Sequence, residues 1–249
     1  MFRTLDAARI VETLERLDRR IAERFPDSGL SRLCTELTSV ARQTASRIID
    51  IARPAIWLRA LSATILLCGL GLLAYVTSSI IEIKRGDENL VGVLQGLEAF
   101  INILVLTGAA VLFVVTLESR WKRRRAIEDL HELRSIIHVI DMHQLTKDPS
   151  SAATVSTTTA SSPARTLSPF ELTRYLDYCS EMLSLAAKVA ALYAQSTKDP
   201  VVIDTATGLA QITSNLSNKI WQKINIVQTG AQQPSAAAPG HAAVSARAI

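Results

Sequence analysis

The sequence predicts an all-α protein: a two-span helical membrane protein with a cytoplasmic helical bundle or hairpin. Three observations carry that expectation. Ala60 to Ile81 and Ala99 to Leu117 are uncharged, apolar runs of 22 and 19 residues. Elsewhere, apolar residues recur every three or four positions with charges between them, the period of a helix with one buried face. The 249 residues are 48% hydrophobic but only 20% charged, an apolar balance for a soluble chain of this size. Ten Gly and eight Pro exclude a collagen-like or proline-rich fibre. Three Cys, at 34, 68 and 179, are too sparse for a disulfide scaffold or a zinc finger.

Residues 1–54 read as a cytoplasmic helical arm. Leu5, Ala8, Val11, Leu14, Leu17 and Ile21 form its first apolar stripe. Pro26-Asp27-Ser28-Gly29 interrupts it, and a second helix is expected from Leu30 to Ala52. Eleven Arg occur up to Arg59, with eight acids interleaved. The mixing prevents a large positive field, so these are solvated helix faces rather than a nucleic-acid patch.

Residues 55–81 and 99–119 are the two expected spans, each covering the roughly 30 Å hydrocarbon core of a bilayer. The first starts too far along the chain, and is too long, to be the core of a secretory leader. Arg42, Arg47, Arg53 and Arg59 precede it, and Arg120, Lys122, Arg123, Arg124 and Arg125 follow the second. The connecting loop, 82–98, holds only Lys84 and Arg85 against four acids. The positive-inside rule then puts both termini in the cytoplasm of an inner or plasma membrane. Trp57, Arg59 and Trp121 to Arg125 are the expected membrane-interface residues, and anionic lipid headgroups their partner. Glu98 and Asn102 are polar groups at the outer end of the second span. Ionisable or amide groups there raise the alternative of a small oligomeric transporter or channel subunit.

No Gly or Pro occurs between Ala109 and Asp148. Leu130, Leu133, Ile136, Ile137 and Ile140 recur at helical spacing, so 120–148 is expected to extend the second span as one helix. Residues 149–167, rich in Ser, Thr and Ala, read as a disordered linker. Ser168-Pro169-Phe170-Glu171 is a capping box, and Asp199-Pro200 a second helix start, which makes 168–228 a helical hairpin. Its stripes are Leu172, Leu176, Cys179, Leu183, Ala190 and Tyr193, then Leu209, Ile212, Leu216, Ile220, Ile224 and Val227, with Trp221 partly buried beside them. Residues 229–249 read as a disordered tail.

His131, His138 and Asp141 are weak metal candidates, and support a second alternative, a His-linked metal or pH-sensing regulator. Two histidines seven apart on one helix lie about 10 Å from each other and need a second helix to share an ion. His131-Glu132-Leu133-Arg134-Ser135 lacks the final His of a zinc-protease motif. The chain carries no phosphate loop, dinucleotide fingerprint or nucleophile elbow. No catalytic residue and no cofactor is expected. The role that remains is a non-catalytic scaffold, assembly or signalling partner. Its uncovered stripes call for a homo-oligomer or a protein partner at the cytoplasmic helices, and no nucleic acid is expected.

Overall fold

The computed structural model describes residues 4–52, 56–83, 90–147 and 167–232, and among them every regular element is a helix. Helix α1, Ala7–Arg24, begins where the Asp6 carboxylate accepts from the amides of Ala8 and Arg9. The turn that ends it needs one residue in the left-handed region. Asp27 supplies it, at φ 56°. Ser28 Oγ then accepts from the Ser31 amide as α2, Gly29–Ala52, begins. Helix α3 is Ile56–Ile83 and α4 is Leu90–Leu145. Helix α5, Pro169–Ser196, starts at the expected capping box: Ser168 Oγ accepts from the Glu171 amide, and Glu171 Oε2 accepts from the Ser168 amide. That backbone hydrogen bond is the main reason the Glu171 carboxyl sits below its ordinary range. Helix α6 is Pro200–Gln232, so regular structure continues past Val227 into the stretch expected to be tail. The rest of the tail, 233–249, and 149–166 of the expected linker lie outside the described residues.

Helices α1, α2 and α6 and the second half of α4 surround α5 and share one hydrophobic core with it. This explains why α5 is buried on more than one side. Besides the expected stripe, Tyr175, Tyr178, Met182, Leu185, Val189 and Leu192 are buried. The core contains every one of Leu130, Leu133, Ile136, Ile137 and Ile140 from α4. Phe25 meets the edges of Tyr175 and Tyr178, at ring-centroid distances of 5.5 and 6.3 Å, and closes the far end of the bundle.

Two apolar assignments shift. In α1 the buried row is Ile10, Leu14, Leu17 and Ile21, while Leu5 and Ala8 are exposed. Leu5 precedes the cap, and its backbone is held instead by Gln195, which accepts from the Leu5 amide and donates to its carbonyl. Trp221 is 61% exposed, because it lies about 100° around α6 from buried Ile220.

Helices α3 and α4 pack against each other away from this core. They approach closely at Gly69, where a Cβ would stand 2.5 Å from the Thr107 side chain. Among the described residues α4 is the one helix long and apolar enough to cross a membrane. The apolar part of α3, Arg59–Tyr75, is shorter. The remaining side chains of the first apolar run, apart from Ser78, lie outside the described residues, as does the loop 84–89.

The far end of the bundle carries a pH-sensitive contact. His143 is packed so closely on α2 that a Cβ at Gly29 would lie 2.5 Å from its ring. Burial first, then Lys147 and Arg32, lowers its pKa below 6.5. The unfolded chain therefore binds this proton more readily than the folded one. Stability should fall as pH drops from about 6.5 through the lower folded-state value. Thermal melts between pH 7 and 5 should show that fall, and His143→Gln should flatten it. An unchanged pH slope in the variant would place the titration elsewhere.

Candidate functional site

A group of ion pairs lies where α4 passes from its apolar half into the bundle. Glu118 and Lys122 pair at 2.9 Å one turn apart, and so do Arg124 and Glu128. The Arg125 guanidinium lies 5.4 Å from the Trp121 ring centroid. Arg123 reaches across the bundle and donates from Nε to Asp199 Oδ2 at 2.7 Å. Asp199 is also the cap of α6, accepting from the amides of Val201 and Val202 at Oδ1. Burial alone would raise its carboxyl. The Arg123 bond and the two amides outweigh that and hold it below the usual carboxylate range. One carboxylate thus starts α6 and ties the α5–α6 turn to α4.

Less than two turns further along α4 lies a buried cluster. Asp129, 7% exposed, accepts from Arg47 Nη1 and from the Tyr193 hydroxyl, the latter at 2.9 Å. The Tyr193 oxygen is also 3.2 Å from Thr44 Oγ1, and Thr44 donates to the Val40 carbonyl at 2.9 Å. Burial above all pushes the Tyr193 hydroxyl well above its ordinary pKa, so it remains a donor. Helices α2, α4 and α5 each contribute to this cluster. Among the described residues no buried side-chain polar atom lacks a hydrogen-bond partner.

Of the expected interface residues, Trp57, Arg59 and Trp121 are exposed, and the basic run 122–125 is drawn into the contacts just described. Glu98 and Asn102 line a groove of about 430 Å³ on α4, together with Gln95 and the apolar Leu94, Leu97 and Ile101. His131 and His138 are exposed on the outer side of α4, while Asp141 accepts from Gln144 Nε2 at 2.6 Å. The three do not converge, and among the described residues no cluster of three His, Cys, Asp or Glu could hold an ion. Cys34 and Cys179 are buried, and burial pushes both thiols up to about 12, far from a reactive thiolate.

The cluster of Thr44, Arg47, Asp129 and Tyr193 was not foreseen from the sequence. One signal was present: Asp129 falls in the apolar row of α4, three residues after Ala126 and four before Leu133. An acid in such a row calls for a buried partner. Nothing in the sequence specifies which of the many arginines supplies it.

No family model, curated protein or solved structure matches the chain.

Proposed function

We propose that the protein is a membrane-anchored, non-catalytic helical adaptor. Both α3 and α4 cross the bilayer, and the bundle stands on the cytoplasmic side of an inner or plasma membrane. The supporting observation is the contrast along α4. Only 6% of its most apolar 18-residue stretch is buried within the protein, whereas further along the helix Ala126, Leu130, Leu133, Ile136, Ile137 and Ile140 enter a packed core. Leu106, Leu112 and Phe113 are at least 65% exposed, a surface that water does not tolerate and lipid does. The same helix is both anchor and core strut, so the bundle is fixed rigidly to the membrane rather than tethered by a linker. Such a scaffold suits assembly or signal relay. The described polar clusters are neutralised ion pairs and caps, with no nucleophile–base pair among them.

Fractionation and labelling test this reading. The chain should stay in the membrane pellet after alkaline carbonate washing. In intact cells an impermeant thiol reagent should reach Asp87→Cys and leave Ser235→Cys unlabelled. Recovery in the supernatant, or the reverse labelling, would overturn it.

A further inference from the structure

One face of α4 stays open along nearly its whole length, in both its apolar and its polar half. Asn102, Phe113, Arg124, His131, His138 and Met142 are all exposed. At about 100° per residue they fall within a sector of about 40°. Thr107, beneath Gly69 of α3, and Leu130 and Ile137, in the bundle core, point to other sides of the helix. From Asn102 to Met142 the open face runs about 60 Å at 1.5 Å per residue. Among the described residues, none of α3 or the bundle covers it.

We propose that this face is the seam of a parallel homodimer, with α4 of one copy lying along α4 of a second copy about a two-fold axis normal to the membrane. The proposal rests on the two-span reading. Three features of the face select a second copy over another occupant. The partner must be a rod of the same length that changes from apolar to polar at the same depth, and a parallel α4 has that profile by construction. Asn102 sits inside the apolar run with no hydrogen-bond partner among the described residues. Its amide both donates and accepts, so two copies at equal depth satisfy each other where lipid cannot. Arg124 and Glu128 lie one turn apart on this side, so Arg124 of each copy also comes within reach of Glu128 of the other, a charge match that the two-fold repeats twice.

The proposal makes the exposed histidines seam residues. His131 and His138, too far apart on one chain to act together, each meet their own counterpart. Phe113, 65% exposed, packs on its equivalent within the bilayer.

Cysteine cross-linking in native membranes tests the seam. Cys68→Ser removes the exposed native thiol, while Cys34 and Cys179 are buried. Into that background go Asn102→Cys, His131→Cys and His138→Cys, with Leu104→Cys and Glu132→Cys as controls that are also exposed but on other sides of α4. Oxidation with copper phenanthroline should give a disulfide-linked dimer at all three seam positions, at least about fivefold above either control. Cross-linking at His131 and His138 but not at Asn102, or equal cross-linking at the controls, would overturn the continuous seam. A chain that stays in the membrane pellet and shows no dimer would overturn the seam alone. A chain found in the supernatant would overturn the membrane reading as well.

Discussion

Leu176→Ala should destabilise the bundle by about 2–5 kcal/mol, the range for truncating a fully buried leucine without collapse of the cavity. Leu176 is 0% exposed and sits on α5, the helix that the other bundle helices surround. No side of that site opens to solvent, so the cavity has little means of closing. Domains of this size are stable by about 5–15 kcal/mol, so the loss is a large share of the total. Thermal unfolding followed by circular dichroism in detergent should show a clear drop in midpoint. Leu106→Ala is the comparison. At 76% exposed on the apolar half of α4, it should leave the bundle transition where it was. Equal midpoints for the two variants would mean that α5 is not the centre of the core.

Asp129→Ala should be the most damaging change among the polar residues, at about 2–4 kcal/mol. Removing one member of a buried ion pair leaves its partner uncompensated. Here the loss strands the Arg47 guanidinium and leaves the Tyr193 hydroxyl, inside the core, only the longer bond to Thr44 Oγ1. Arg47 is 35% exposed along its side chain and can partly rehydrate, which puts the cost at the low end of the range for a fully buried pair. Tyr193→Phe, which deletes one hydrogen bond and leaves the ion pair, should cost only about 1 kcal/mol. Replacing both charges, Arg47→Met with Asp129→Leu, should recover much of the loss, because no charge is then left unpaired. A double variant as unstable as Asp129→Ala would show that the geometry of the cluster, rather than the stranded charge, sets the cost.

These two variants probe different kinds of information. The rows that place Leu176, Leu130 and Ile137 in the core repeat every three or four residues within one helix, and such periodicity can be read without knowing what lies opposite. The Asp129 cluster joins positions 44, 47, 129 and 193. Pairing across that many residues leaves no local pattern, because a salt bridge depends on which helices become neighbours and at what height. The same limit applied to the basic run after Trp121. Its density suggests lipid contact but not that Arg123 also pairs with Asp199, the cap of α6. Asp199 itself was legible as a helix start, and its second role as a tie to α4 was not.

By itself the sequence determined that the chain is helical and where the capped helices start, but not every boundary: α4 begins at Leu90, inside the stretch expected to be loop, and α6 runs on to Gln232. It also determined that two stretches are apolar without interruption, and that the second continues unbroken into a half with periodic apolar residues and charges. Each of these follows from residue type and spacing within a few turns: caps, breakers, and periodic or uninterrupted hydrophobicity. Only the tertiary structure decided that α5 lies at the centre of the bundle, that Trp221 faces out and Ile10 in, and that Asp129 is neutralised by Arg47 and Tyr193. Among the described residues it alone left Asn102, Phe113, Arg124, His131, His138 and Met142 exposed on one side of α4. Those outcomes depend on which faces of distant helices meet, and packing many faces around a common axis is a global compromise that no single helix records.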